Sequence, residues 1–279
     1  MLAPYLLSLP GGMWLAIFFV VPLVVMASVS LQTGSSATGF ALTWHFRTYL
    51  DVLRQYHVQF LRSLQYAGIA TLITLVVAYP MAYWIAFYGG RRKNTYLLLL
   101  LLPFFVSFVI RTLAWQFILS DQGIVLGTLK SWHLLPESFH VLATSVAVIS
   151  GIAYNFLPFM ALPLYVSLEK VDRRVVEAAG DLYASKRATF LHVILPLSIP
   201  GVFAGFLLTF VPAAGDYVNK AILGGTHNTM IGNIIQQQFL ENRAYPTASA
   251  LSFLLMGALL IGVFLYARIL GTRNIQEYV

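Results

Sequence analysis

Long apolar runs separated by short polar segments dominate the chain. A helix needs about 20 mostly apolar residues to cross the hydrocarbon core of a bilayer, and six stretches reach that length. They lie near residues 14–31, 64–87, 96–119, 141–168, 194–214 and 248–269. The pattern therefore predicts an all-α integral membrane protein with six transmembrane helices in a single domain, 1–279. The segments at 32–63, 120–140 and 215–247 become loops on one side, and those at 88–95 and 169–193 become loops on the other.

The first apolar run has to be distinguished from a secretory signal peptide. Residues 1–31 contain neither Lys nor Arg, and the apolar stretch is longer than a signal peptide uses. No small-residue cleavage site follows it. We therefore expect a retained transmembrane helix.

Composition supports this prediction and narrows the chemistry. Hydrophobic residues make up 59% of the 279 residues, charged residues make up 10%, and the mean hydropathy is +0.78. Soluble domains are about 45–50% apolar and about 25% charged. The absence of cysteine excludes disulfides and thiolate chemistry. The six histidines show no metal-ligand spacing, and no nucleophile set or phosphate-binding loop occurs. We therefore expect a protein that is not an enzyme.

The distribution of the net charge of +7 along the chain indicates how the chain is oriented in the membrane. With the N-terminus inside, ten of the 17 basic residues fall on inner segments and six on outer ones, and Arg111 lies within the third span. The ten are Arg91, Arg92, Lys93, Lys170, Arg173, Arg174, Lys186, Arg187, Arg268 and Arg273. Cytoplasmic loops carry the excess of Lys and Arg. This distribution predicts that both termini are cytoplasmic, and it explains the charge without nucleic acid.

Polar residues inside the third and fourth spans are candidates for a translocation path. Arg111 is followed one turn later, on the same face, by Trp115. The arginine either reaches toward the membrane surface or a carbonyl, or faces a polar cavity. Tyr154 and Asn155 lie mid-span, where an amide needs a partner. They either join helices or line a path.

Two further candidates follow the fifth span. Asp216 adjoins Tyr217, and Glu241 lies later in the same loop. A carboxylate beside an aromatic ring suits a cationic ligand. The alternative is a solvated loop acid near Lys220.

The polar segment after the fourth span predicts two short helices. Asp172 can cap the first and Ser185 the second. Val175, Ala179 and Leu182 recur at i, i+4 and i+7, which gives an apolar stripe on a charged helix. Such a helix either lies on lipid or docks into a partner.

The same segment resembles a known family. Glu177-Ala178-Ala179, followed by Leu195-Pro196, resembles the EAA loop of type I ABC importer permeases. The resemblance implies that fold, with a coupling loop over residues 169–196 that seats on ATPase subunits. It assigns this coupling to Glu177, Ala178, Ala179, Gly180, Asp181, Leu182 and Tyr183. The family has Gly where this chain has Tyr183. A left-handed turn there would cost Tyr about 1–2 kcal/mol, unless Gly180 shifts the turn.

Further segments resemble the permeases of polyamine (spermidine/putrescine) importers. They are 103–115, 154–172, 212–217, 223–225 and 230–233. The resemblance implies uptake of polyamines across the bacterial plasma (inner) membrane by alternating access. The resemblance favours Trp115, Asn155, Asp216 and Tyr217 as path residues, and the pattern candidates Arg111, Tyr154 and Glu241 complete the predicted set. The implied partners are a second homologous permease in a heterodimer, two ATPase subunits and an extracytoplasmic substrate-binding protein. ATP and Mg would bind the ATPase, and this chain would carry no cofactor.

Three alternative functions have to be considered. The first is a permease of the same family that carries another small solute. An ion-coupled secondary transporter needs intramembrane acids, and no Asp or Glu lies well inside a predicted span. A membrane-embedded enzyme needs convergent catalytic groups, which the sequence does not show.

Overall fold

The computed structural model describes residues 3–270, with side chains described for 9–268. Arg273 and both chain ends, which entered the topology prediction, lie outside the described residues. Within that range, four helices are long and apolar enough to cross a membrane, and two bent helix pairs bring the number to six if each pair is one span. This agrees with the six predicted spans.

The chain divides into two compact units. One contains the residues up to 60 together with 234–260, and the other contains 61–233 together with the residues from 261 onward. The helices Arg47–Tyr88, Ile231–Gln236 and Tyr245–Leu270 each contribute residues to both units.

The first unit begins with a nearly continuous helix. It consists of α1 (Ala3–Leu15), a π-helical turn (Ala16–Val20) and α2 (Val21–Ser30). Almost every described side chain from 9 to 26 is exposed and apolar, a surface that is stable in contact with lipid tails. Ser30 ends the helix and shares a 2.7 Å hydrogen bond with the Tyr49 hydroxyl.

A short antiparallel hairpin follows, which the sequence analysis did not predict. Strand β1 (Gln32–Ser35) pairs with β2 (Gly39–Leu42), with Gln32 opposite Leu42. The helix α3 (Arg47–Tyr88) then begins within the segment expected to be the first outer loop, so it is 42 residues long and extends well before the predicted second span. Non-helical dihedrals at Tyr56 mark a kink inside it.

The third predicted span is sharply broken. A 3-10 turn (Gly90–Arg92), α4 (Lys93–Leu101) and a second 3-10 turn (Leu102–Phe105) lead to α5 (Phe108–Leu119) and α6 (Ile124–Ser131). The two halves are bent by 90° around Val106 and Ser107. Pro103 lies in the second 3-10 turn, where its ring and missing N–H prevent a regular helix.

The fourth span also bends, at the polar pair noted in the sequence. A single residue, Phe156, separates α7 (Ser145–Asn155) from α8 (Leu157–Glu169), and the two helices are inclined by 45°. Pro158 in the first turn of α8 accounts for the break.

The rest of the second unit starts with α9 (Arg173–Asp181), α10 (Lys186–Thr189), a π turn (Phe190–Ile194) and α11 (Leu195–Ala214). These are followed by α12 (Val218–Leu223) and a 3-10 turn (Thr226–Asn228). The helix α13 (Ile231–Gln236) and a π turn (Gln237–Glu241) then lead to α14 (Tyr245–Leu270).

Small residues allow α8 and α11 to pack closely. A Cβ atom at Gly201 would lie 2.7 Å from the Pro163 carbonyl oxygen, and one at Gly205 would lie 2.7 Å from the Met160 sulfur. Gly201 and Gly205 form a GxxxG pair, which lets membrane helices approach at backbone distance. Thr209 and Ala213 continue the same buried stripe. The stripe fixes α11 against α8 and thereby positions the segment that follows it.

Candidate functional site

Four polar residues from four segments of the second unit form a buried polar row. The Asn155 Nδ2 donates to the Thr112 Oγ1 at 2.9 Å and to the Asn219 Oδ1 at 3.0 Å. The Asn219 Nδ2 in turn donates to the Asp216 Oδ2 at 2.6 Å. All four are buried, with 0% exposure for Thr112, Asn155 and Asn219. The row therefore joins α5, the α7–α8 bend, α12 and the end of α11.

Asp216 is the charged end of this row. Its side chain is 6% exposed, and its Oδ1 accepts the backbone N–H of Asn219 at 2.8 Å. Burial raises the pKa of Asp216, and hydrogen bonds from Asn219 and Val218 partly offset that rise. A solvated loop acid, one of the two alternatives for Asp216, is therefore wrong.

One acceptor in the row is left over. The Asn155 Oδ1 is buried and has no hydrogen-bond partner among the described residues. The amide thus joins helices, which is one of its two predicted roles, and it also keeps an unused acceptor.

An aromatic row runs next to the polar one. Trp115 and Tyr154 are stacked with their ring centroids 5.2 Å apart and an interplanar angle of 3°. Tyr154 continues to Phe104 at 5.8 Å. The Trp115 indole N–H donates to the Ser150 Oγ at 3.3 Å, which fixes the ring against α7.

Arg111 ends the aromatic row. Its guanidinium carbon lies 4.4 Å from the Phe104 ring centroid and 5.7 Å from that of Phe108. Its Nε and Nη1 are buried without a hydrogen-bond partner among the described residues. The side chain is thus held by ring faces, an arrangement that the sequence analysis did not consider.

Two predicted path residues, Tyr217 and Glu241, take no part in the contacts that define the two rows. Tyr217 is 45% exposed, and its carbonyl oxygen accepts the Asn233 Nδ2 at 2.8 Å. Glu241 is exposed and belongs to the first compact unit. The structure therefore brings together five of the seven predicted path residues, namely Arg111, Trp115, Tyr154, Asn155 and Asp216.

The sequence analysis missed Thr112, Asn219 and Ser150. A usable signal existed for Asn219, because an amide three residues after an acid at a helix start can reach back to that acid. Thr112 and Ser150 offered no such signal, because hydroxyl side chains within a helix commonly bond to their own backbone.

The coupling loop has the predicted caps. The Asp172 carboxylate accepts the Arg174 N–H at 2.9 Å, and the Ser185 Oγ accepts the Ala188 N–H at 3.2 Å. Tyr183 adopts φ +59°, so the left-handed turn is present at Tyr183 itself, and Gly180 does not take it over.

The predicted apolar stripe on α9 divides between two faces. Val176 and Ala179 are half-buried against the chain itself. Val175, Leu182 and Tyr183 are exposed, the last at 98%. Glu177, Ala178 and Gly180 are also exposed. This leaves an open face with Glu177, Ala178 and three large side chains.

Comparison with known proteins decides the family. Residues 78–274 match the family described as binding-protein-dependent transport system inner membrane component. The chain belongs to this family of permeases. It is 36% identical over 266 residues to the spermidine/putrescine transport system permease protein PotB of Haemophilus influenzae, which covers 94% of this chain and 93% of that protein. The Escherichia coli K12 protein of the same name is 35% identical, over 93% of this chain and 96% of its own length.

Solved structures show the same fold for the permease. The chain aligns with a bacterial alginate ABC transporter in complex with alginate pentasaccharide-bound periplasmic protein at a TM-score of 0.71 and 19% identity, covering 98% of this chain and 94% of that one. The permease thus has the ABC importer permease fold and is an inner-membrane transport protein.

Proposed function

We propose that the permease forms half of the pathway of an ATP-driven importer for polyamines such as spermidine and putrescine. The observation that carries the proposal is its similarity, along almost the whole chain, to permeases named for these two substrates. Transport would proceed by alternating access.

The geometry of the site supports a cationic substrate. The aromatic row offers ring faces to an alkylammonium group, and the polar row adds the buried Asp216 carboxylate and the unused Asn155 Oδ1. Both rows come from kinked segments. Rigid pieces on either side of such kinks can move and open or close a path. Tyr217 and Glu241, both exposed, stay in the proposal as further path residues.

The exposed face of α9 supports an ATPase partner. Val175 and Leu182 are large, apolar and exposed, on a helix that carries Glu177 and Asp181. A helix of this kind suits a groove on another protein. We propose two ATPase subunits that bind ATP and Mg, a second homologous permease in a heterodimer, and an extracytoplasmic substrate-binding protein. Both termini would be cytoplasmic, which places α9 on the side of the ATPase.

The test is uptake by the complete complex in proteoliposomes, with the proposed second permease, ATPase subunits and substrate-binding protein. ATP-dependent accumulation of labelled spermidine or putrescine, absent with a neutral amino acid, is the expected result. Accumulation of another solute alone would assign the permease to a different substrate. Uptake driven by an ion gradient without ATP would show a secondary transporter and contradict the proposal.

A further inference from the structure

The turn between the second and third spans contacts the start of the coupling loop. Lys93, the first residue of α4, forms an ion pair with Glu169, the last residue of α8. Each charge stands at the unfavourable end of its own helix, because a helix N-terminus repels cations and a C-terminus repels anions. The helices' own electrostatics therefore disfavour both side chains, and the pair compensates for this.

A second contact joins α9 to the end of α3. The Arg173 Nη2 approaches the carbonyl oxygens of Ala86 and Phe87 at 3.5 and 3.4 Å. Both carbonyls belong to the last turn of α3, where backbone acceptors lack intrahelical donors. A guanidinium at that position also complements the negative end of the helix dipole.

A third contact is apolar. Val176, one turn after Arg173, packs against the core cluster formed by α3, α4 and α8. Phe87 and Ala86 belong to the same cluster. One face of α9 is therefore attached to α3, while the opposite face stays open at Val175 and Leu182.

We propose that Lys93, Glu169 and Arg173 act as a strut that carries movement of α9 to α3 and α4. The inference rests on the proposed function, because it assumes that an ATPase displaces α9. Chain connectivity links α9 only to α8 and, through α10, to α11. The strut adds the end of the second span and the start of the third. One displacement of α9 then moves α3, α4, α8 and α11 together. These three are positioning residues, since none of them touches a substrate or the exposed face.

The first experiment is a double-mutant cycle in the reconstituted complex. Lys93→Ala, Glu169→Ala and the double variant are compared for polyamine taken up per ATP hydrolysed. We expect each single variant to lower this ratio by about threefold, and the double variant to fall no further, since residues that act as one unit are non-additive. Arg92→Ala is the matched control, because Arg92 is an exposed base in the same turn. Unchanged ratios, or losses that multiply, would overturn the strut.

A second measurement does not depend on the substrate. Because the chain contains no cysteine, spin labels can be placed at Arg174→Cys on α9 and Arg91→Cys in the turn. With the strut intact, the distance between the labels should stay the same when ATP binds the complex. With Lys93→Ala and Arg173→Ala, it should change. A distance that already changes in the otherwise unaltered chain would refute the inference, even if polyamine uptake were confirmed. Absent uptake with an unchanged distance would refute only the substrate.

Discussion

The hydrogen bond between Asn155 and Asn219 allows a graded test of the buried polar row. Replacing Asn155 by Leu removes two donated hydrogen bonds, to Thr112 and Asn219. Side-chain hydrogen bonds between membrane helices average about 0.6 kcal/mol, with a maximum near 1.7. The substitution also removes the unpartnered Oδ1, which offsets part of the loss. We expect Asn155→Leu to lower the free energy of unfolding by about 1 kcal/mol.

Replacing Asn219 by Leu should cost more. It removes the Nδ2 donor from the buried Asp216 carboxylate, and it takes one of two acceptors from the Asn155 amide, which keeps Thr112. Taking a partner from a buried charge typically costs about 3–5 kcal/mol. The Asn219 and Val218 backbone donors remain, so we expect a loss of about 3 kcal/mol. We therefore expect Asn219→Leu to lower the free energy of unfolding clearly more than Asn155→Leu does.

A lower pH should reduce the loss of stability that Asn219→Leu causes. Losing a donor raises the already elevated pKa of Asp216 further, and a protonated carboxyl needs fewer donors. The penalty of Asn219→Leu is therefore fully present well above that pKa and falls as the pH drops through it. Asp216→Asn in the same chain should remove this pH dependence.

The assay is unfolding of the purified permease by SDS in mixed micelles, followed by circular dichroism at several pH values. Asn94→Leu serves as the control, because Asn94 is an exposed amide on α4, and surface changes stay within about 0.5 kcal/mol. Equal losses for Asn155→Leu and Asn219→Leu, or a pH-independent loss for the latter, would show that the Asp216 charge is not supported by Asn219.

Three further predictions test the rest of the structure. Tyr183→Gly should raise the free energy of unfolding by about 0.5–1 kcal/mol, as measured by SDS unfolding. The substitution relieves about 1–2 kcal/mol of left-handed strain at φ +59°, but the greater conformational entropy of glycine in the unfolded chain offsets part of this gain. Gly205→Leu should lower the free energy of unfolding by about 3 kcal/mol or prevent assembly through the clash with Met160, whereas Gly257→Leu meets no atom within 4 Å and should be tolerated; size-exclusion profiles compare the two. Glu177→Lys should leave ATP hydrolysis but abolish the uptake that it drives, and normal uptake by this variant would remove Glu177 from the coupling surface.

Features that depend on near neighbours in the chain were predictable from the sequence. The caps at Asp172 and Ser185 follow from residues two or three positions away. The break at Phe156 follows from Pro158 two positions later. The spans themselves follow from hydropathy, because a bilayer imposes one length on every crossing helix.

Other features depend on partners that are distant in sequence. The early start of α3 was missed because Asp51, Arg54 and Arg62 lower the hydropathy of a segment that is nevertheless helical. A kink near Pro103 was predictable, but a bend of 90° was not, since the proline removes a hydrogen bond without choosing the new direction. That direction is set by packing, as the fixing of Trp115 against Ser150 of α7 illustrates.

Asp216 and Arg111 show most clearly that the partners of a charged side chain could not be predicted from the sequence. From the sequence, Asp216 is either a ligand for a cation or a solvated loop acid, and Arg111 either reaches the membrane surface or a carbonyl or faces a polar cavity. In the structure, the carboxylate is bonded by Asn219, and the guanidinium lies over Phe104. Asp216 thus has donors within the chain, whereas the Arg111 Nε and Nη1 have no partner among the described residues. In the proposed path, a substrate would meet ring faces, one amide oxygen and a carboxylate that Asn219 already bonds. Weak binding of this kind suits a path that must release its cargo, because affinity shared equally by two states shifts neither of them. Selective capture then falls to the proposed binding protein rather than to the membrane segment.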